Sequence, residues 1–459
     1  MDETSLRAQL ELAVSDEPPL GPIVGNALRK GRRLRRQRRA AGAAALSAVA
    51  IVLVSAVPAL TAAASHQASR PGPVVAGPAA EGGTAYVAIN QNEVVPVSLS
   101  TNTAGTPIRV PDSIPDPSIT SAAVTPNGRT IYEVGSNVGN GTPLTPIDTA
   151  TDTAGPAIGL GDVGTVHGLA VMPDGHFAYL SATGGLFRIS TATDTASKVA
   201  DCSRYGCGAM AVTPDGRTLY VIDIVALNAA RTVTVIRTAS NAVLTRITLP
   251  VAETGRSSPV SIAVTPDSKT AYVVDGSYNG QPGASSVVPI SVATNTALAP
   301  IKIQAAGDAD GLVLAPDGRT AYVLSGHAVT PIDTATNQAE PAISLPPAAG
   351  DAYDMALTPD GRTLYVLAPH GVIPISTSSD TALPTIKVPG LCATETDIAI
   401  TPDGRTVYVG ACITRTGTQG GQKLPVTVGG GVVPISTTTN TAGHFINLGQ
   451  QPIAITFTR

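Results

Sequence analysis

Acids and imidazoles gather near the ends of three successive apolar runs late in the chain. Asp308 and Asp310, Asp351 and Asp354, and Glu395 and Asp397 precede these runs, and His327 and His370 lie between them. Grouped carboxylates with imidazole can bind a divalent cation, or serve as acid and base toward a ligand. The same residues also read as solvated loop acids and surface histidines. The candidate ligand-binding set is Asp310, His327, Asp354, His370 and Asp397. His167 opens an earlier apolar run, with Asp162 ahead of it, and could face the same place. Other chemistries lack their residues: there is no Gly-x-Ser-x-Gly elbow, no phosphate loop of the Gly-Lys-Ser/Thr type and no His-Glu-x-x-His.

The four cysteines suit oxidised pairs. Cys202 and Cys207 are five apart and would staple one loop. Cys392 and Cys412 stand ten residues either side of Pro402, across a predicted hairpin, and should pair. Cys-x-x-Cys-His and zinc-type Cys/His spacings are missing, so neither haem attachment nor zinc is expected at these thiols.

What positions these residues is a repeat. Tyr86, Tyr132, Tyr179, Tyr220, Tyr272, Tyr322, Tyr365 and Tyr408 each close a copy of one pattern: apolar run, Thr-Pro-Asp-Gly, Arg-Thr, apolar residue, Tyr-Val, with small departures. A period near 45 residues that divides into four short strands a copy points to a β-propeller. Residues 311–346 show one blade: strands at Gly311–Ala315, Thr320–Leu324, Val329–Asp333 and Pro341–Leu345, from the innermost (a) to the outermost (d). Pro316-Asp317-Gly318 forms the a–b turn, and Thr334-Ala335-Thr336-Asn337 the c–d turn. The c–d turn occurs eight times, the a–b turn seven. The array starts at a second strand, Thr84–Val87, and Ile453-Ala454-Ile455-Thr456-Phe457 matches a first strand and then stops. The last strand should therefore complete the first blade and close the ring, removing both free edges. The fold class is all-β, an eight-bladed propeller of four-stranded antiparallel blades over residues 83–459; merging of two irregular copies would give seven blades.

These repeats, such as Ile400-Thr401-Pro402-Asp403-Gly404-Arg405-Thr406-Val407-Tyr408-Val409 followed by Val432-Val433-Pro434-Ile435-Ser436-Thr437-Thr438-Thr439-Asn440-Thr441, resemble the YVTN-type β-propeller repeat. The resemblance covers residues 83–459. It departs from the pattern in that no copy carries Thr-Asn after Tyr-Val. It implies an exported, surface-layer-like or periplasmic propeller. It implies no single activity, since relatives include lactonase-like and cofactor enzymes, DNA binders and envelope scaffolds.

The a–b and c–d turns share one face of the predicted ring and are nearly uniform. The b–c and d–a connections share the other face and vary. Long b–c connections fall at Asp223–Arg231, Asp275–Ser286 and Gly410–Gly430, the last being the largest. Insertions in repeat folds gather on binding faces, although surface loops also drift.

Residues 40–64 carry no charge and follow Arg29, Lys30, Arg32, Arg33, Arg35, Arg36, Arg38 and Arg39. This reads as a single-pass transmembrane helix or signal anchor with the basic side in the cytoplasm. Ala62-Ala63-Ala64 allows the alternative of cleavage near Ala64 and secretion. Residues 1–39 form a cytoplasmic basic segment, and residues 65–82 a Pro/Gly/Ala-rich linker. Residues 1–39 hold nine Lys/Arg against five Asp/Glu, whereas the other 420 hold 20 against 28. The acidic balance of the propeller argues against nucleic acid as its partner.

The sequence thus favours a membrane-anchored, extracytoplasmic, non-enzymatic binding or scaffold module. Its partner would be a protein, peptide or glycan on the variable face, with no cofactor beyond a possible divalent cation. One alternative is an exported lactonase-like hydrolase with a metal held by the acids of blades 6–8. The other is an envelope sensor signalling to the cytoplasmic segment.

Overall fold

The computed structural model describes residues 83–89, 92–110, 119–135, 142–224, 231–250, 257–277, 285–303, 309–392, 397–419 and 422–458. They form eight antiparallel sheets, the blades of an all-β propeller. The inner strands are Pro452–Phe457, Ile119–Val124, Val166–Val171, Cys207–Val212, Ser257–Val264, Ala309–Leu314, Asp354–Leu357 and Ile398–Ile400 in blades 1 to 8. Each packs on the next, and Ile398–Ile400 packs on Pro452–Phe457, so the ring is closed. The expected closing strand is present, one residue longer at its start: Pro452–Phe457 pairs with Thr84–Ile89, with Tyr86 opposite Thr456. The expected segment at residues 40–64 lies outside the described residues. Among the described residues, no helix is long and apolar enough to cross a membrane.

The a–b turn explains why its sequence repeats. In Thr213-Pro214-Asp215-Gly216-Arg217-Thr218, the Thr213 hydroxyl donates to Asp215 (2.5 Å), Asp215 accepts from the Arg217 amide (3.0 Å), and Thr213 accepts from the Thr218 amide (3.0 Å). Gly216 sits at φ +71°, where a side chain would be strained. The Thr265, Thr358 and Thr401 turns repeat this network. Its residues therefore serve the turn itself.

The outer strands differ from the expected single run. In five blades the outer strand is broken into two short pieces, as at Gln338–Ala339 and Ile343–Ser344, and in blade 7 it is reduced to Thr381–Ala382 and a single bridge of Ile386 to Val372. The cause lies one strand inward. Those blades carry a proline in the third strand: Pro96, Pro146, Pro289, Pro331, Pro374 or Pro434. Proline accepts but cannot donate, so the ladder ends on its carbonyl, as where Glu340 N–H meets Pro331 O at 2.9 Å. Blades 3 and 4 have Arg188 and Val235 at that position, and their outer strands, Thr195–Ala200 and Ala242–Thr248, run unbroken.

The core is a set of apolar layers between blades, built of Val, Ile, Leu and Ala around buried tyrosines. Seven of the eight repeat tyrosines have a second role. Tyr179 donates to Asn241 (2.7 Å), Tyr220 to Asn295 (2.7 Å), Tyr272 to Asn337 (2.7 Å) and Tyr365 to Asn440 (2.7 Å). Tyr86 and Tyr132 donate to Asp152 (2.6 Å) and Asp194 (2.9 Å). Tyr408 of blade 8 donates to Asn102 of blade 1 at 2.5 Å, across the closure. In each case a second-strand hydroxyl reaches the c–d turn of the following blade. The acceptors occupy the left-handed region, φ +50° to +55° for the residues named, which Asn and Asp tolerate best.

Candidate functional site

The two candidate acids of blades 7 and 8 come together. In the register of the inner strands, Asp354 and Asp397 hold equivalent positions, two residues before the partner of the blade's tyrosine. The other six blades place Ala454, Ser121, Gly168, Ala209, Ser261 and Gly311 there. Only these two adjacent blades carry carboxyls at that level. Their inner strands are also short: Asp354 begins its strand and Asp397 immediately precedes the other.

Asp354 Oδ1 accepts from the Met355 amide (2.8 Å), and its Oδ2 from the Ile398 amide (3.4 Å). Asp397 Oδ2 accepts from the Ile455 amide of blade 1 (3.0 Å). Each carboxyl thus bonds the inner backbone of the next blade, and the two carboxyls lie close enough to shift each other's titration. Burial raises the proton affinity of both, and Asp397 raises that of Asp354 further. Two neighbouring buried carboxyls do not readily ionise together, so the pair favours holding one proton between them. Asp397 is 9% exposed and Asp354 somewhat more, so the pair keeps an opening to solvent.

The remaining candidates are placed differently. His327 Nε2 lies 2.9 Å from Asp351 Oδ1, with both side chains about half exposed, a surface pair apart from the buried dyad. His370 is exposed, and its amide donates to Ala349 O (3.3 Å). Asp310 lies in the inner strand of blade 6, but its side chain is outside the described set, as are Asp308 and Glu395 altogether. His167 is buried, with Nε2 3.5 Å from Thr183 Oγ1, and burial lowers its pKa. Asp162 accepts from the Gly164 amide (3.2 Å) within its own loop. Among the described residues, no group of three His, Cys, Asp or Glu could hold a metal ion.

Both expected disulfides form. Cys202 pairs with Cys207, with Cα atoms 5.1 Å apart, and Cys392 with Cys412, at 4.9 Å. The second flanks the dyad: the Asp397 carbonyl accepts from Gly410 N (3.4 Å), two residues before Cys412. Tyr353 OH reaches Cys392 O at 3.4 Å.

The Gly410–Gly430 insertion is not an irregular loop. The second and third strands of blade 8 continue through it as one hairpin, Thr406–Gln419 against Gln422–Ser436, with Gln419 opposite Gln422. Its Thr and Val content suits extended backbone. Near its base Ile413 and Val428 are exposed, at 39% and 47%. Glycines let the base pack: a Cβ on Gly431 would stand 1.9 Å from Ile446 O.

Sequence reasoning grouped Asp354 and Asp397 in one candidate set but missed their contact and the buried polar groups of blades 4 and 5. There Asp223 accepts from Thr232 (2.5 Å) and Thr234 (2.7 Å), and Arg231 forms a buried pair with Asp275. The signal was available: both aspartates follow the apolar run of a second strand, at Tyr220-Val221-Ile222-Asp223 and Tyr272-Val273-Val274-Asp275.

No protein-family profile matches the chain, and no curated protein matches it. Solved structures do. Hydrazine synthase of Kuenenia stuttgartiensis aligns at 22% identity and TM-score 0.50, over 65% of this chain and 93% of that one. Dihydro-heme d1 dehydrogenase NirN, in complex with DHE, aligns at 14% identity and TM-score 0.59, over 84% of this chain and 77% of that one. At these identities the likeness shows the propeller fold alone. The YVTN resemblance rests on the repeat residues themselves.

Proposed function

We propose that this chain is an exported propeller of the YVTN type that binds a polar ligand on its variable face, over blades 7 and 8. The Asp354–Asp397 pair is the observation that carries this reading. It is the one place where the small-residue level of the inner strands is replaced by carboxyls in two neighbouring blades. A pair sharing one proton offers both a donor and an acceptor, which suits sugar hydroxyls or peptide amides. The blade 8 hairpin, tied down by Cys392–Cys412, stands beside it and would contact a larger partner. The two disulfides suit an oxidising compartment outside the cytoplasm, and residues 40–64 would tether the chain to the membrane.

The test is crosslinking on intact cells from a photoreactive side chain at Thr414. A discrete adduct in wild type that is lost in Asp354→Asn/Asp397→Asn is expected. An adduct pattern indifferent to both substitutions sinks the reading. The shared proton also supports a second reading, a hydrolase in which the dyad activates water. Turnover of a lactone by purified protein, abolished in the same double variant, would favour it over simple binding.

A further inference from the structure

Glu133 is the least expected residue of the core. It follows Tyr132 in the second strand of blade 2, where the seven other blades have Val87, Leu180, Val221, Val273, Val323, Val366 and Val409. Its side chain is 1% exposed, and neither carboxyl oxygen has a hydrogen-bond partner among the described residues. In register it lies beside Ala122 and Thr145, so all three share one face of the blade. Ala122 packs with Tyr86, Ala88 and Ala454 of blade 1, which identifies that face as the seam between blades 1 and 2. Thr456 comes to the seam from the other side, paired in register with Tyr86. Thr145 and Thr456 are themselves buried, and each hydroxyl lacks a partner among the described residues. Three orphaned polar side chains therefore meet one seam, at a level walled by Ala88, Ala122 and Ala454. All three alanines are buried and carry only a methyl group.

A buried carboxyl with no partner is costly, and proteins commonly meet such groups with internal water that makes about three hydrogen bonds. We propose that the blade 1–blade 2 seam is an internal water-binding site, in which Glu133 as a neutral acid, Thr145 and Thr456 hold buried water at the point where the ring closes. A protonated carboxyl supplies one donor and two acceptors, and each hydroxyl supplies one donor, enough to satisfy one or two waters. The groups facing Glu133 are Ala454 and Thr456 of the inner strand of blade 1, Tyr86 and Ala88 of its second strand, Val94 of its third, and Ala122, Ile131 and Thr145 of blade 2. None is charged, and the one titratable group, Tyr86, already donates to Asp152 at 2.6 Å. Nothing among these residues supports an ionised Glu133. Burial pushes its carboxyl up to about 8.

The site makes closure sensitive to alkali. Raised proton affinity in the folded chain means that stability falls as pH climbs from the ordinary carboxylate range toward 8. The test compares full-length wild type, Glu133→Gln and Glu133→Val. In a crystal structure of the wild type, ordered water should bridge the Glu133 carboxyl to the Thr145 or Thr456 hydroxyl, and Glu133→Val should remove it. The unfolding equilibrium constant of wild type relative to Glu133→Gln should rise about 100-fold between pH 5.5 and 7.5, since each unit contributes a factor of ten. A dry seam, a basic side chain or metal ion found against Glu133, or a ratio that does not move with pH would each overturn the proposal. Should Glu133→Gln not fold, the ratio to Glu133→Val carries the same test.

Discussion

Replacing Tyr408 by Phe removes one hydroxyl and nothing else from the joint between blades 8 and 1. Its partner Asn102 Oδ1 lies 306 positions earlier in sequence, so this bond ties the two ends of the array. A neutral hydrogen bond contributes a net ~0.5–1.5 kcal/mol. Asn102 also holds φ +54°, so an alanine there would add backbone strain to the loss of the acceptor. Asn102→Gly avoids that confusion, because glycine accepts the same backbone angle. The two single variants and the double, unfolded in urea, form a cycle whose coupling energy should be about 1 kcal/mol.

A second cycle supplies the internal control. Tyr86 donates to Asp152, and the carboxylate makes that bond charge-assisted, worth roughly twice a neutral one. Its coupling, from Tyr86→Phe and Asp152→Gly, should be near 2 kcal/mol. Burial, with Asp152 next, raises the Tyr86 pKa, so the hydroxyl remains a donor throughout the usable pH range. A Tyr408–Asn102 coupling within error of zero would refute the tyrosine girdle as a stabilising device. Equal couplings at both joints would refute the role given to the aspartate.

Other outcomes follow from the same geometry. The dyad carboxyls bind protons more tightly when folded than unfolded, so they lower stability as pH rises from about 4 toward neutrality; Asp354→Asn should flatten that part of the pH–stability curve, and a curve identical to wild type would remove the shared proton from the account. Cys392→Ser/Cys412→Ser should cost about 3 kcal/mol, the figure for closing a loop of this order, read from urea unfolding. Val235→Pro should break the outer strand of blade 4 after the pattern of its proline-bearing neighbours, seen as faster amide exchange across Ala242–Thr248; unchanged protection there would show that the prolines do not cause the breaks.

Much of the ring was legible because the repeat states each blade eight times. The turn mismatch located the closing strand, and the cysteine positions located both disulfides. What escaped was relational. The eight tyrosines counted the blades, yet the hydroxyl partners of seven of them are 59 to 75 residues away, or 306 for Tyr408, and spacing within one copy cannot show a bond to the next. Likewise the prolines of the third strand looked like ordinary members of an apolar run. Their effect falls on a strand several residues later, through a missing amide donor. The blade 8 insertion, Gly410–Gly430, falls where the repeat has a b–c connection, and Gly429-Gly430-Gly431 closes it. In the structure those glycines permit close backbone contact, with Gly430 also hemmed in by Gln450 and Ala411.

The repeat is most informative where one blade departs from the other seven. Departures at exposed loops are inexpensive and say little, as His370 and the His327–Asp351 pair illustrate. A departure at a buried level must offset the loss of an apolar contact and the desolvation of a polar group. Asp354, Asp397 and Glu133 all break such levels, but differently. The two aspartates stand in adjacent blades, accept backbone amides and share a proton, so the cost is met from within the chain. Glu133 stands alone, with two oxygens that nothing in the described chain satisfies. That contrast assigns them separate roles: the dyad is complete and partly open, fit to exchange hydrogen bonds with a visitor, whereas Glu133 is sealed in and needs a resident guest.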